Sequence, residues 1–180
     1  MPRPYFVENN AKNIERIIRV NHAGEFAAKN IYACQIPNIT STEIRNLVEE
    51  MYHQELGHLK YYQELMFERN IRPSVFLPLW GVLSKTLGYL TSFSPNQIML
   101  CTKAVEEVIE NHYRKQENLL ETQAYDNENE LLQNIRQHLS DEVHHKNMAE
   151  KYITFSVLNL FSSCIIKLGC VGAIKISKHF

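Results

Sequence analysis

Apolar residues recur along most of this chain at the three- and four-residue intervals of an amphipathic helix, and strand-type alternation is nearly absent. The first stripe is Ile14, Ile17, Ile18, Ala28 and Tyr32, which predicts a helix from about Ala11 to Gln35, stopped by Pro37. Thr40-Ser41-Thr42-Glu43 has the form of a capping box and opens a second helix, which runs to about Arg69 before Asn70 and Pro73 break it. Ser94-Pro95 supplies a cap and a first-turn proline for a third helix from about Pro95 to Tyr125. The turn residues Asp126-Asn127 divide it from a fourth, whose stripe is Leu131, Ile135, Leu139 and Ala149. The expected fold is all-α: a four-helix bundle in a single domain spanning 1–180.

Two segments do not fit a plain soluble bundle. Ser74 to Phe93 is rich in Phe, Leu, Trp and Tyr, yet Pro78 and Lys85 make it a poor membrane span. It joins helices already committed to the bundle, so residues 73–94 are expected to contact membrane or lipid. Ile153 to Ile176 is apolar apart from residues such as Asn159 and Lys167; from composition it is expected to pack as a core helix.

Charge inside the apolar stripes carries the chemistry. Glu25 lies within the first. Glu55 shares a face with Ile44, Val48, Met51, Tyr62 and Met66, and His58 follows it by three residues. The neighbouring Glu50-Met51-Tyr52-His53 has the same spacing, but Glu50 keeps company with Glu43, Asn46, Gln54 and Glu64, a solvated face. Glu106 sits with Met99, Thr102, Ile109 and Tyr113, whereas Glu107 sits with Lys103, Glu110 and Arg114; a one-residue choice between them stays open. Glu142 continues the stripe of the fourth helix with His145 after it, and Asp141 points aside toward Asn134 and Gln137. A buried carboxylate costs several kcal/mol unless it is paired or binds metal.

Taken singly, each of these residues reads more simply as a salt-bridge partner or a satisfied core group, and His22, His112 and His138 stay in that class. Together they repeat: Glu, then Glu-x-x-His, twice, with 30 residues from Glu25 to Glu55 and 36 from Glu106 to Glu142. One glutamate from each of two helices and a Glu-x-x-His from each of two others is the ligand set of a di-iron or di-manganese bundle. Its oxygen-rich donors suit Fe(II) or Mn(II). Two ferrous ions can each give an electron to O2. Hydroxylation, quinol oxidation, ferroxidase action and peroxide removal are all open to such a core.

Composition narrows the rest. Net charge is −1 with no basic run, so nucleic acid is not an expected partner. The four cysteines Cys34, Cys101, Cys164 and Cys170 form no Cys-x-x-Cys and read as buried thiols in a reducing compartment. Met1 to Asn10 has neither a signal core nor transit-peptide character, which reads as a bacterial cytosolic chain or a processed one.

Arg19-Val20-Asn21-His22-Ala23-Gly24-Glu25-Phe26, Glu55-Leu56-Gly57-His58-Leu59, Pro78-Leu79-Trp80, Ala104-Val105-Glu106-Glu107 with His112-Tyr113, and Asp141-Glu142-Val143-His144-His145 resemble the demethoxyubiquinone hydroxylase family, and the resemblance runs to Gly169-Cys170. It implies a ferritin-like bundle whose additional apolar helices contact the membrane, with Glu25, Glu55, His58, Glu106, Glu142 and His145 binding two iron ions. His144 stands where an acidic residue is expected, which leaves His144 and His145 as alternatives.

The implied activity is O2-dependent hydroxylation of a polyprenyl demethoxyubiquinol in ubiquinone biosynthesis, with a methyltransferase acting next. The implied location is peripheral: on the cytoplasmic side of a bacterial inner membrane, or on the matrix side of the mitochondrial one. Val75 to Phe93 would face the membrane with Trp80 at the interface. Tyr113 is a candidate for steering a proton or electron, against a simpler core role. Two electrons come from the quinol or an external NADH-linked reductant, since the chain has no nucleotide-binding fingerprint. Other ubiquinone-biosynthesis proteins and a second copy of the chain are the further expected partners. A ferritin-like ferroxidase or peroxide scavenger is the competing enzyme, and it predicts no lipid dependence. A membrane-surface scaffold is the non-enzymatic reading, and it predicts no bound iron.

Overall fold

The computed structural model describes residues 4–122, 125 and 128–178, with side chains from residue 10 onward. The described residues form six α-helices and no strand: α1 (Pro4–Gln35), α2 (Thr42–Glu68), α3 (Leu77–Thr91), α4 (Pro95–Thr122), α5 (Asn129–Glu150) and α6 (Val157–Ser177). The expected turn at Asp126-Asn127 lies outside the described residues. α1 begins earlier than the periodicity suggests, with Pro4 in the first turn, where its missing N–H removes no helical bond.

Local chemistry sets the helix ends. Ser41 caps α2, its hydroxyl accepting from the Ile44 amide at 3.4 Å. The cap is therefore one residue later than the capping-box reading places it, and Glu43 instead accepts from the Tyr152 hydroxyl at 2.6 Å. At the other end Asn70 turns left-handed at φ 54°. There the Ile71 amide reaches back to the Met66 carbonyl at 2.9 Å and the Asn70 amide to Phe67 at 3.3 Å, the paired bonds of a Schellman stop.

α1 and α2 form one antiparallel pair, α4 and α5 another, and the crossover between the pairs carries α3. Two apolar clusters fill the bundle. One holds Ile18, Tyr62, Met66, Tyr113, Leu131 and Ile135 at the end where α1 begins. The other holds Ala28, Tyr32, Val48, Met51, Met99 and Ala149 at the opposite end. Every helix of the four contributes to both, and Glu25, Glu55, Glu106 and Glu142 fall between the two sets along their helices.

Outside the bundle, α3 lies against α1, and α6 lies against α4 and α1. Gly88 makes the first contact possible: a Cβ there would sit 2.4 Å from the Ile31 carbonyl oxygen. α6 is pinned by its few polar residues. Asn159 accepts from Gln97 at 2.9 Å and donates to the Thr154 carbonyl at 2.7 Å, and Lys167 pairs with Glu107 at 2.7 Å.

Three expectations are corrected here. The C-terminal segment is not a core helix: only Asn159, Ile166 and Ser177 of α6 are buried, while Leu158, Leu160, Phe161 and Leu168 are at least 64% exposed. Periodicity reports an apolar helix but not what covers it. Trp80 does not sit on an outer interface. It is buried, and its indole N–H donates to Ser177 Oγ at 3.0 Å, tying α3 to the end of α6. Of the cysteines only Cys101 is fully buried, and Cys164 is exposed on α6. The middle segment does present Val75, Val82, Leu90 and Phe93 outward.

Candidate metal centre

The six residues selected by helical phase converge. Glu25 of α1, Glu55 and His58 of α2, Glu106 of α4, and Glu142 and His145 of α5 are each 5% exposed or less. They fall into two groups whose donor atoms lie within 4.8 Å of one another: Glu25, Glu55, His58 and Glu142, and Glu55, Glu106, Glu142 and His145. Glu55 and Glu142 belong to both. His58 Nδ1 lies 3.5 Å from Glu25, 3.4 Å from Glu142 and 4.0 Å from Glu55. His145 Nδ1 mirrors it, 3.4 Å from Glu55 and 3.5 Å from Glu142.

Hydrogen bonds behind the two imidazoles fix which nitrogen points inward. His58 Nε2 donates to Asp141 Oδ2 at 3.2 Å, and His145 Nε2 donates to Gln54 Oε1 at 2.6 Å. Each bond engages Nε2 and turns Nδ1 toward the carboxylates, as the nitrogen a metal ion would take. Tyr32 donates to Glu106 at 2.7 Å, and Tyr113 donates to Glu25.

Without a cation this centre is poorly satisfied. Both oxygens of Glu55, Glu142 Oε2, His58 Nδ1 and His145 Nδ1 are buried with no hydrogen-bond partner. Each such group costs about 1–3 kcal/mol. Burial, reinforced by neighbouring carboxylates, raises Glu55 and Glu106 well above the ordinary glutamate range and raises Glu142 as well. Burial also opposes ionisation of Glu25, but attraction to His58, whose protonated form the surrounding carboxylates favour, prevails and pulls it down to about 2. Among the described residues, Lys and Arg ion pairs go to other carboxylates, including Glu107, Glu110, Glu128 and Glu150. The atoms left unsatisfied are the ones a pair of divalent cations would take, with Glu55 and Glu142 between them, so the donor set fits a di-metal centre.

The competing residues fall away. His144 and Glu50 are exposed, His53 is exposed, and Glu107 is taken by Lys167. His138 is closer than the sequence suggests. Its ring stacks on His58 at 3.9 Å between centroids and its Nδ1 meets Tyr62 Oη at 3.3 Å, and with Glu25 and His58 it forms a third possible donor group. By helical phase Gln54 belongs to a solvated face and Asp141 points aside; in the structure Asp141 instead bonds the imidazole of His58, and Gln54 that of His145. Their only sequence signal is their position one residue from a ligand glutamate.

A cavity of about 310 Å³ lies between α1, α3, α4 and α6. Ala27, Leu83, Leu87, Ile109, Ile165 and Ala173 give it an apolar wall, and its polar lining includes Asn21, Glu25, His112 and Tyr113. It therefore extends from the Glu/His cluster, at Glu25, to the two helices that expose hydrocarbon.

Residues 12–177 match the profile of a family described as ubiquinone biosynthesis protein COQ7. The chain is 38% identical over 177 residues to the mouse NADPH-dependent 3-demethoxyubiquinone 3-hydroxylase, mitochondrial, covering 95% of this chain and 80% of that one. Identity is 38% over 172 residues to the human protein of the same description, with 92% and 77% covered. It is 33% over 173 residues to the 3-demethoxyubiquinol 3-hydroxylase of Rhodospirillum rubrum, with 92% and 78% covered. A buried Glu/His cluster set in a four-helix bundle and a match over nearly the whole length lead to one conclusion: the chain belongs to the ubiquinone biosynthesis protein COQ7 family.

Proposed function

We propose that this protein is a di-iron monooxygenase that hydroxylates the ring of a polyprenyl demethoxyubiquinol at a membrane surface. Hydroxylation in ubiquinone biosynthesis comes from the family and from relatives named as hydroxylases. The observation that carries the finer reading is the connection of the unsatisfied Glu/His centre to an apolar cavity open toward α3 and α6. A ferroxidase needs a polar route for hydrated ions; this approach is walled by aliphatic side chains, which favours a lipid-soluble substrate.

Glu25, Glu55, His58, Glu106, Glu142 and His145 would hold the metal, and a bound pair of ferrous ions would supply the electrons needed to activate O2 for insertion into the ring. The remaining work belongs to the chain. Asp141 and Gln54 keep both imidazoles turned with Nδ1 inward. Tyr113 donates to Glu25 at the inner end of the cavity, where it can hold a proton close to a bound ring. The apolar lining excludes water and orients the ring by shape. The isoprenoid tail leaves between α3 and α6.

The outer faces of those helices supply the membrane contact. α6 is long and apolar enough to cross a bilayer by length and composition. Asn159 and Lys167 are nevertheless bonded to α4, so the helix lies along the bundle with its hydrocarbon outward, as an interfacial helix does. The chain then sits on an inner membrane, bacterial or mitochondrial; the mouse and Dictyostelium discoideum relatives are named as mitochondrial, which supports the second. The external reductant is nicotinamide-linked; the names of the mouse and human relatives specify NADPH rather than NADH.

The test is incubation of iron-loaded protein with a short-tailed demethoxyquinol, O2 and a chemical reductant, read by mass spectrometry. The expected product has gained one oxygen atom, and Glu142→Ala yields none. Rapid ferrous oxidation with no hydroxylated ring would support a ferroxidase instead, and protein that takes up no iron would sink both readings.

A further inference from the structure

Four buried or half-buried side chains beside the cavity form a hydrogen-bond chain that metal binding does not require. Asn21 Nδ2 donates to Gln116 Oε1 at 2.9 Å, and Gln116 Nε2 donates back to Asn21 Oδ1 at 2.7 Å. The two amides close a reciprocal ring across α1 and α4. The second proton of Asn21 Nδ2 goes to Tyr62 Oη at 3.0 Å, and the second proton of Gln116 Nε2 goes to His112 Nε2 at 2.7 Å. All four amide N–H groups are therefore used. Burying two amides at 3% and 4% exposure is costly unless they are satisfied in this way.

This arrangement dictates the state of His112. An amide nitrogen donates and does not accept, so His112 Nε2 is the acceptor, and the imidazole proton resides on Nδ1. Burial, with Lys178 and Lys115 nearby, pushes this imidazole down to about 4, which keeps it neutral. Among the described residues nothing accepts from Nδ1. His112 lines the cavity, as do Asn21 and Tyr113. With no acceptor for it among the described residues, this N–H has an occupant of the cavity to donate to.

We infer that Gln116, fixed by Asn21, is a positioning residue that holds His112 in the Nδ1–H form so that this proton is donated to one ring oxygen of a bound quinone-type head group. The inference rests on the cavity being the ring site. Aliphatic walls fit a flat ring in several rotations. One hydrogen bond at a fixed distance from Glu25 and Tyr113 selects the ring carbon that faces the centre, which makes His112 and Gln116 determinants of where the new hydroxyl is placed.

Isotope-edited infrared spectra of a short-tailed, carbonyl-labelled ubiquinone bound to the iron-loaded protein test this. The expected wild-type spectrum has one carbonyl band shifted to lower frequency by the hydrogen bond. Gln116→Met and His112→Phe each abolish the shift and weaken binding about fivefold, the worth of one neutral hydrogen bond. The double variant is no weaker than either single one, since both remove the same interaction. A purely structural role for Gln116 would lower affinity but keep the shifted band, and that result overturns the proposal. If Gln116→Met does not fold, His112→Phe decides, because a shifted band retained there overturns it equally. Bound quinone with two unshifted carbonyls in the wild type defeats this assignment alone. No bound quinone at all defeats the cavity reading beneath it.

Discussion

The middle of the four-helix bundle buries charge, while α3 and α6 expose hydrocarbon, and each region departs from ordinary burial in the opposite sense. Glu55 and Glu142 are 1% exposed with oxygens that no donor reaches; Phe161 and Leu168 are 64% and 67% exposed with no protein over them. Neither arrangement is stable by itself in water. The two regions suit partners of different kinds, and the proposed function assigns cations to the inner one and lipid to the outer one. The 310 Å³ cavity is lined by residues of both regions, and under the proposed function the two departures serve one purpose, the passage of an apolar molecule from a bilayer to a polar centre.

The largest effect is expected where the comparison is sharpest. Glu142→Ala removes a carboxylate common to both donor groups. Losing one partner from a buried charge cluster costs about 3–5 kcal/mol, or roughly two to four decades. Bound iron should fall in elemental analysis and hydroxylation should fall with it, while vesicle binding stays intact. Loss of vesicle binding would show that the two regions are not separable.

The outer region is challenged by Phe161→Glu combined with Leu168→Glu. Each removes about 2 kcal/mol of apolar burial, so partitioning to liposomes should drop by roughly thirtyfold or more per site in a sedimentation assay. Iron content and turnover of a short-tailed substrate should hold. Unchanged sedimentation would mean that lipid does not cover α6.

Smaller effects come from the supports of each region. Asp141→Asn weakens the acceptor behind His58 and should cost about tenfold in iron retention against a chelator, with the fold kept. Gly88→Ala places a methyl group against the Ile31 carbonyl and strains the seat of α3 on α1. About 1–3 kcal/mol of overpacking should lower Tm by roughly 2–10 °C in calorimetry.

The two regions were also unequally legible in the sequence. The buried cluster was readable because charge in an apolar stripe is rare, and the repeat of Glu with Glu-x-x-His picked out the members of each stripe that meet. His145 over His144, and Glu106 over Glu107, then came down to helical phase, and burial agrees with the phase in both cases. Gln54 and Asp141 were not readable. A polar residue on the flank of a helix looks the same whether it faces water or a neighbouring imidazole. The Asn21–Gln116 pair was hidden for a different reason: its members lie 95 positions apart and meet only through tertiary packing. The placement of α6 was misjudged because an apolar helix facing lipid and one facing a core have the same composition. Tertiary contacts such as the ion pair of Lys167 with Glu107, the bond of Gln97 to Asn159 and that of Trp80 to Ser177 reveal which side of it is turned inward.

The central claim is that two metal ions share Glu55 and Glu142 at the heart of the bundle. Anomalous diffraction at the iron edge from crystals of iron-loaded protein tests it most directly. The account predicts two peaks, one beside His58 Nδ1 and one beside His145 Nδ1, with both shared carboxylates between them. A single peak, or a peak at His144 or His53 with none inside the bundle, would contradict it.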